Sequence, residues 1–266
     1  MRRGRHWLAL AALPALAGCV HNPSTSPAMA MWQMDCGRFD IKNFEGHALY
    51  PMPVSCYLIR DGDDYVLFDA GLGTRLIGKP DVQETQTVSL DRSLADQFAA
   101  IGVDPAKVST LIVSHFHGDH HGQADLFPNA RRLIGAGDAA ALRGESDQGK
   151  LGPWLKGERT VEEVGADRDL TGDGRLKVLF TPGHTPGHLS MLVKLRGASF
   201  ILTGDLVHSR RQLDALEPSR NHVDKVRGKA EIERMVALAK SEGATIVVGH
   251  DRDDVARFPQ FPDAAE

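Results

Sequence analysis

The 266-residue sequence has no surplus of basic residues, only three cysteines, and no apolar run long enough to anchor it in a bilayer by a spanning helix. Its 31 Lys and Arg face 35 Asp and Glu, for a formal net charge of -4. Because binding to a phosphate backbone needs a basic face, nucleic acid is excluded as a partner. The composition, 42% hydrophobic and 25% charged, is that of an ordinary globular protein with one sizeable core.

The amino-terminal residues are typical of an export signal. Residues 1–6 (MRRGRH) are basic, and residues 7–17 (WLALAALPALA) are apolar but too short to span a bilayer. The segment ends in LAGC, which resembles a bacterial lipobox and implies cleavage before Cys19 and a lipid on the new amino terminus. Val20 then implies sorting to the outer membrane, facing the periplasm. An ordinary signal followed by an incidental Gly-Cys pair is the alternative.

The predicted export signal divides the chain into three parts. We expect a lipoprotein signal peptide at residues 1–18, a lipid-anchored Pro/Ser tether at residues 19–31, and one folded domain at residues 32–266. An oxidising compartment would allow Cys36 and Cys56 to form a disulfide. However, Cys56 lies in the strand-like run VSCYLI, which equally suits a buried free thiol, so both alternatives stay open.

Strands and helices alternate along the chain. Short apolar runs bounded by turn residues predict strands at residues 54–60, 65–71, 108–114, 131–136, 176–183, 189–195, 198–204 and 244–249. Capped amphipathic runs predict helices at 91–102 and 229–242. Asp61-Gly62 suits the positive φ of a tight turn and predicts a hairpin between the first two strands. The fold class is therefore α/β.

Side chains that can bind a metal follow four of these strands where each strand ends. The seven candidates are His115, His117, Asp119, His120, His184, Asp205 and His250. Residues at strand ends are exposed yet rigidly held, so that such side chains can converge on one site. Imidazole and carboxylate suit Zn²⁺, with Fe, Mn and Co as alternatives, and the lack of Cys among them favours an open catalytic site.

The spacing within HFHGDH at residues 115–120 allows two ions. His115 and His117 are two positions apart and point to one side of an extended segment, whereas Asp119 and His120 reach a second position nearby. We therefore expect two divalent metal ions, with Zn²⁺ favoured. Two adjacent ions can generate a hydroxide from a shared water at neutral pH and polarise a substrate oxygen, so the expected reaction is hydrolysis.

The pattern HxHxDH at residues 115–120, followed by His184, Asp205 and His250, resembles the metallo-β-lactamase superfamily over residues 53–251. The resemblance implies an αββα sandwich of two mixed β-sheets flanked by helices. It also implies one ion on His115, His117 and His184, a second on Asp119, His120 and His250, and Asp205 bridging both. Asp69 in FDAGLG would orient a ligand by a hydrogen bond, and His188 in TPGHTPGH would be a structural turn residue.

Within this superfamily the chain is most similar to the N-acyl homoserine lactonase-like branch. The similar segments are PVSCYLI at residues 53–59 and SHFHGDHHG at residues 114–122. The resemblance implies opening of the lactone ring by a hydroxide held between the metals, with Asp119 steering the water and passing on its proton. A β-lactamase or a phosphotriester or aryl ester hydrolase is the alternative on the same metal core. An iron redox enzyme and an inert zinc-binding scaffold protein are alternatives from outside this class.

One position departs from the lactonase pattern. These enzymes usually carry Tyr three residues after the bridging Asp, placed to hydrogen-bond the substrate carbonyl, and this chain carries His208 there. An imidazole can still donate that bond, although it titrates near neutrality. We therefore expect Asp119 and His208 as the catalytic side chains, with a surface histidine of no function as the alternative for His208.

Substrate recognition is expected from residues 72–90 and 143–172. Apolar candidates for an acyl-chain pocket, each with core or surface packing as the alternative, are Leu72, Phe116, Leu151, Trp154 and Leu206. His121 and His222 are expected in solvent or hydrogen-bonded to a ligand. Three methionines near the tether, Met29, Met31 and Met34, would cover either the core or a partner subunit in a homodimer.

Overall fold

A computed structural model describes residues 29–144, 151–156 and 161–266. Thirteen strands are formed by these residues: β1 Ala30–Phe44, β2 His47–Asp61, β3 Asp64–Phe68, β4 Asp81–Val82, β5 Gln86–Ser89, β6 Val108–Ile112, β7 Arg131–Gly135, β8 Val161–Val164, β9 Arg168–Asp169, β10 Leu176–Phe180, β11 Leu189–Lys194, β12 Ser199–Leu202 and β13 Ala244–Val247. Their α-helices are α1 Leu94–Ala100, α2 Ala136–Arg143, α3 Gly152–Leu155, α4 Arg210–Asp214, α5 Lys225–Glu242 and α6 Arg252–Val255.

The described strands form two mixed sheets. The larger has the order β4-β5-β1-β2-β3-β6-β7-β8, and the smaller has the order β13-β12-β11-β10-β9. Strands β3, β6, β7 and β8 are parallel neighbours, as are β12 and β13, whereas the other pairs are antiparallel. Each pair of parallel strands therefore needs a crossover connection. The metal-ligand candidates lie on the connections that follow β6, β10, β12 and β13.

Apolar layers hold the two sheets and their helices together. Phe68 and Ile112 of the larger sheet pack in one cluster with Val178 and Met191 of the smaller sheet. On the outer face of the larger sheet, a second cluster includes Leu94 and Phe98 of α1 and Leu142 of α2. On the outer face of the smaller sheet, a third includes Ile232 and Met235 of α5. The layer order is helix, sheet, sheet, helix, which confirms the predicted αββα sandwich.

The long strand β1 is a feature that the sequence pattern did not predict. It begins at Ala30, within residues 19–31 that were expected to form the tether. Its register shifts between Asp35 and Arg38 around Gly37, whose φ is 113°, and this bulge breaks the alternation by which a strand is recognised. Met29, Met31 and Met34 are buried and cover the core of their own chain.

A disulfide joins Cys36 of β1 to Cys56 of β2, which decides between the two alternatives left open above. The bridge lies against the loop that follows β3. A Cβ on Gly71, whose φ is 62°, would lie 2.5 Å from the Cys36 Cβ, so only glycine fits there. The Leu72 amide donates to the Cys36 carbonyl at 3.0 Å. The bridge thereby supports the loop that begins with Asp69.

Local signals explain where the other elements begin and end. Strands β2 and β3 form the predicted hairpin, with Gly62 at φ 65° in its turn. Helix α1 begins after Ser93, which forms a capping box with Asp96. Helix α5 begins at Lys225, earlier than the predicted residue 229, because the Asp224 side chain caps the Arg227 amide, and it ends at Gly243 with φ 61°.

Some predictions fall on residues that the structure does not describe. The predicted signal peptide, Cys19 and most of the tether lie outside the described residues, as do residues 145–150 and 157–160 of the 143–172 segment. The segment 72–90 is not a simple loop, because it contains β4 and β5, and β5 pairs with β1. Among the described helices, none combines the length and the apolar character that crossing a bilayer requires.

Candidate metal centre

All seven predicted ligands lie together. They form two groups, His115, His117, His184 and Asp205 in one and Asp119, His120 and His250 in the other, and the ligand atoms within each group lie within 4.8 Å of one another. The strands place them: HFHGDH follows β6, His184 lies between β10 and β11, Asp205 follows β12 and His250 follows β13. Each of these strands contains buried residues, and their packing holds the side chain just beyond the end of the strand.

The first group contains three imidazoles, whose nitrogens point at one another, and the carboxylate of Asp205. His117 Nδ1 lies 2.8 Å from His115 Nε2 and 3.1 Å from His184 Nε2. Asp205 Oδ2 lies 3.7 Å from His115 Nε2 and 3.4 Å from His184 Nε2. Three nitrogens and one carboxylate oxygen thus surround a single point, which is the donor set of a zinc site.

The second group shares the same carboxylate through its other oxygen. Asp205 Oδ1 lies 3.2 Å from His120 Nε2 and 3.0 Å from His250 Nε2. Asp119 Oδ2 lies 3.2 Å from His120 Nε2 and 3.7 Å from His250 Nε2. Asp205 therefore presents one oxygen to each group, which is the geometry that a residue bridging two ions requires.

Neighbouring groups turn the ligand nitrogens inward. Asp69 Oδ2 accepts a hydrogen bond from His120 Nδ1 at 2.8 Å, and the Pro53 carbonyl accepts one from His250 Nδ1 at 2.6 Å. In both imidazoles Nε2 is left free to bind a cation. Asp69 Oδ1 also accepts from the Ser114 amide at 2.7 Å, so Asp69 holds the ligand loop itself in place.

Burial and charge make this a site for cations. Burial lowers the pKa of His184 to about 2 and holds the pKa of His115 well below its ordinary value, so both are neutral, as metal ligands must be. Burial also acts to lower the pKa of His120, but Asp119, Asp205 and Asp69 outweigh it and raise that pKa well above its ordinary value. The second group thus favours a positive charge, which a proton or a metal ion can supply.

Buried polar atoms without partners provide the test of whether a metal fits. Among the described residues, His120 Nε2, His184 Nδ1 and Asp205 Oδ1 are buried without a hydrogen bond. Such atoms cost free energy, and two of them, His120 Nε2 and Asp205 Oδ1, face each other across the second group. A divalent cation between them would remove that cost. The residues present therefore fit divalent metal ions.

His188 contacts the backbone of one ligand candidate, Asp205. Its Nε2 accepts a hydrogen bond from the Asp205 amide at 3.0 Å, so its proton sits on Nδ1, which faces Thr181 Oγ1 at 2.9 Å. Burial lowers the pKa of His188 to about 3, which keeps it neutral. It holds the Asp205 backbone, in agreement with the structural role predicted for it.

His208 points into the centre rather than into solvent. Its Nε2 lies 3.0 Å from Asp205 Oδ2, and its ring lies edge-on to His184 and His250 at centroid distances of 5.3 and 5.6 Å. Its backbone amide donates to Gln212 Oε1 at 2.9 Å. The side chain of His208 is buried, so the alternative of a surface histidine is wrong.

His121 and His222 are both buried, so the expectation of a place in solvent is wrong for each. His121 Nε2 donates to the Phe116 carbonyl at 3.0 Å within the ligand loop. The His222 ring lies 5.3 Å from the ring of His184, and its Nδ1 lies 3.1 Å from Ser219 Oγ. Neither belongs to a ligand group.

A cleft of about 750 Å³ opens beside Asp119. Its apolar walls are Phe39, Leu72, Leu76 and Val88, and its polar rim includes Arg75, Asp81, Gln83 and Gln86. Of the pocket candidates named above, Leu72 lines this cleft and also packs in a buried cluster. Leu151, Trp154 and Leu206 pack in the buried clusters and do not line the cleft. Phe39 went unnoticed because β1 itself was not predicted.

The family model of the metallo-β-lactamase superfamily matches residues 49–250. The chain belongs to that superfamily. A curated relative, the N-acyl homoserine lactonase AttM of Rhizobium radiobacter, is 30% identical over 86% of this chain and 94% of its own. AiiA of Bacillus thuringiensis subsp. kurstaki is 24% identical over 81% of this chain and 88% of its own. Fold, ligand set and relatives make the chain a metal-dependent hydrolase.

Solved structures share the fold. A structure of N-acyl homoserine lactone hydrolase with the product N-hexanoyl-L-homoserine bound at its catalytic metal center has a TM-score of 0.76, at 21% identity over 90% of this chain and 99% of that one. AidC, a dizinc quorum-quenching lactonase, has a TM-score of 0.63 at 15% identity, over 89% of each chain. At these identities the likeness confirms the sandwich architecture.

Proposed function

We propose that the chain opens the lactone ring of N-acyl homoserine lactones by hydrolysis at two Zn²⁺ ions, and so quenches quorum signals. One observation carries the proposal: two ligand groups share Asp205 in a chain that is 30% identical to a lactonase along 86% of its length. His115, His117 and His184 would hold one ion, and Asp119, His120 and His250 the other. Bound there, the ions would activate a water and polarise the lactone carbonyl.

Two side chains, Asp119 and His208, are the proposed catalytic groups for ring opening. Asp119 belongs to the second ligand group and also borders the cleft, so its carboxylate can accept a proton from the attacking water and return it to the leaving oxygen. His208 Nε2 lies 3.0 Å from Asp205 Oδ2 and can donate a hydrogen bond to a substrate oxygen held beside that carboxylate.

The cleft fits an acyl chain. Its inner walls are the apolar side chains of Phe39, Leu72, Leu76 and Val88, and its volume of about 750 Å³ lies within the range of small-molecule sites. Because Asp119 also lines the cleft, a substrate with its acyl chain along these walls can present its polar head to the ligand groups. An N-acyl homoserine lactone has that division into an apolar tail and a polar ring.

The test is ring opening by the purified, Zn²⁺-loaded protein. Incubation with a long-chain N-acyl homoserine lactone is followed by mass spectrometry, which detects the gain of one water. Asp119→Asn removes the proposed proton carrier, whereas Asp104→Asn changes an exposed carboxylate that only caps the turn at Pro105. We expect metal-dependent opening that is lost in Asp119→Asn and kept in Asp104→Asn.

The alternative substrates belong in the same experiment. Turnover of β-lactams, phosphotriesters or aryl esters without lactone opening would replace the proposed substrate and keep the hydrolase. One bound iron per chain with oxygen uptake would replace hydrolysis by redox chemistry. A protein that binds two ions and turns over none of these substrates would be a zinc-binding scaffold.

We also propose that the protein is an outer-membrane lipoprotein that faces the periplasm, anchored through Cys19. The support is the basic and apolar leader that ends in LAGC, and the absence of a charged residue directly after Cys19. Labelling of cells with a tagged fatty acid tests it, with Cys19→Ser as control. Label on the wild type but not on Cys19→Ser is expected, and an unlabelled wild type would contradict the anchor.

The homodimer stays a prediction, which light scattering of the purified protein tests.

A further inference from the structure

A buried carboxylate outside the ligand set connects two of the metal-binding loops. Asp138, in the first turn of α2, is fully buried and accepts three hydrogen bonds. Its Oδ2 accepts from the Phe116 amide at 3.2 Å and from Thr185 Oγ1 at 2.9 Å, and its Oδ1 accepts from the Gly187 amide at 2.5 Å. No Lys or Arg among the described residues forms a salt bridge with it.

Two of the three donors adjoin ligand candidates in the chain, and those candidates belong to one group alone. Phe116 lies between His115 and His117 in the chain, and Thr185 directly follows His184. The same carboxylate thus joins the two segments that supply all three imidazoles of the first group. Asp119, His120 and His250 of the second group are oriented instead by other contacts, such as Asp69 on His120 and the Pro53 carbonyl on His250.

Two glycines let α2 approach the loop that carries His184 closely enough for these hydrogen bonds. A Cβ on Gly135 would lie 1.6 Å from the Gly187 carbonyl oxygen, and one on Gly137 would lie 2.4 Å from the Pro186 carbonyl oxygen. Any side chain at either position would push the helix and the loop apart. The start of α2 is therefore built to hold the loop that carries His184.

Keeping a carboxylate here is costly. Burial raises the pKa of Asp138 to about 6, although its three hydrogen bonds favour the charged form. A neutral side chain would be cheaper to bury, but an amide offers only one acceptor oxygen, and two are used here. The requirement is for two oxygens that accept from two loops at once.

We propose that Asp138 is a positioning residue that sets the mutual placement of His115, His117 and His184 and so determines the affinity for the ion they hold, with little effect on the ion of the second group. The proposal rests on the metal centre of the proposed function and is independent of its substrate.

The test measures metal affinity separately for the two groups. Metal-free protein is titrated with Co²⁺, and binding is followed by visible absorption and by calorimetry. Two reference variants, His184→Ala and His250→Ala, each delete one ligand and identify which binding step belongs to which group. The readout needs no catalytic turnover, so a wild type that binds two ions without opening a lactone would refute only the substrate.

Asp138→Asn conserves the volume of the side chain but removes one acceptor oxygen. We expect the affinity of the first group to fall about 10- to 100-fold, the usual effect of losing a group that orients a ligand, and the affinity of the second to change less than about threefold. Thr185→Val, which removes one donor, should act in the same direction and carries the test if Asp138→Asn does not fold.

A matched control separates positioning from a general loss of stability. Gln97 is also buried, and its side chain hydrogen-bonds the backbone at Asp35 and Ser93, neither of which is a ligand candidate. Gln97→Leu should lower the thermal midpoint and leave both Co²⁺ affinities unchanged. Equal weakening of both groups by Asp138→Asn and Thr185→Val, or unchanged affinity in both variants, would overturn the proposal.

Discussion

At the residue scale, single carboxylates in this protein each hold more than one part of the centre. Asp205 divides its oxygens between the two ligand groups, and Asp69 divides its oxygens between His120 and the Ser114 amide. Substituting such a residue removes two contacts together, which makes its effect larger than that of an ordinary surface charge. The change should appear first in metal binding, since neither residue packs in the apolar core.

Asp69→Asn should weaken metal binding at the second group. The amide can accept one bond but cannot orient His120 and receive the Ser114 amide in the same way. We expect about a 10- to 100-fold lower affinity for the ion held by Asp119, His120 and His250, measured by Co²⁺ titration. Loss at the first group alone would contradict this assignment, and Asp104→Asn provides an exposed control.

His208→Phe should lower kcat with little change in metal content. The phenyl ring keeps the edge-on packing against His184 and His250 but has no hydrogen to donate. If His208 donates to a substrate oxygen, the loss in kcat should be about 10²-fold, as for other single donors to a developing oxyanion. The measurement is lactone hydrolysis at saturating substrate, with bound Zn²⁺ determined in parallel.

His208→Tyr is the informative companion of that variant. It restores a donor of the type that the lactonase-like branch usually carries at this position. Recovery of kcat in His208→Tyr would confirm hydrogen-bond donation, whereas equal activity of the Phe variant and the wild type would exclude a catalytic role for His208.

At the scale of elements, the position at which helix α5 ends is set by a local feature of the backbone. The α5 terminus depends on Gly243 in the left-handed region, with nothing within 4 Å of the place where a Cβ would lie. Strain in Gly243→Ala is therefore a backbone effect and not a clash. It should reduce the free energy of unfolding by about 1 kcal/mol.

Thermal unfolding measures that effect. For a domain of this size, about 1 kcal/mol corresponds to a fall of roughly 2–4 °C in the thermal midpoint. Gly243→Asn should cost less, because Asn tolerates this conformation better than Ala. A midpoint in Gly243→Ala equal to that of the wild type would show that the helix end relaxes without strain.

At the scale of the whole molecule, the Cys36–Cys56 bridge joins two central strands and supports the loop that begins with Asp69. Closing a loop with a sequence separation of 20 stabilises a fold by roughly 3 kcal/mol. The double variant Cys36→Ala/Cys56→Ala should therefore unfold roughly 6–12 °C lower. Calorimetry of the metal-free protein checks this without a contribution from the ions, and an unchanged midpoint would contradict it.

Metal removal should destabilise the whole domain, because the ligand groups join loops that follow β6, β10, β12 and β13. A ligand present at 100 times its dissociation constant stabilises the folded state by about 2.7 kcal/mol. We expect a chelator to lower the thermal midpoint and added Zn²⁺ to restore it. His250→Ala should show a smaller response to Zn²⁺ than the wild type, and an equal response would place the stabilising ion elsewhere.

Much of the centre could be predicted from the sequence because its signals are local. The seven ligand candidates follow predicted strands, and short buried strands are recognisable from apolar runs alone. The bulge at Gly37 interrupts the alternating pattern of β1, so neither this strand nor Phe39 of the cleft was predicted from the sequence. For Leu151, Trp154 and Leu206 the alternative of core packing is correct. The sequence left this open because an apolar residue near the site looks the same whether it packs in the core or lines a cleft.

By itself the sequence determined the fold class and the candidate ligand side chains, because strand periodicity and the HxHxDH spacing are properties of neighbouring residues. Only the tertiary structure decided which oxygen of Asp205 faces which group, that Cys36 and Cys56 are bonded, and that Asp138 joins two metal-binding loops. These contacts join residues far apart in the chain. Their existence depends on how strands and helices pack, which no local pattern specifies.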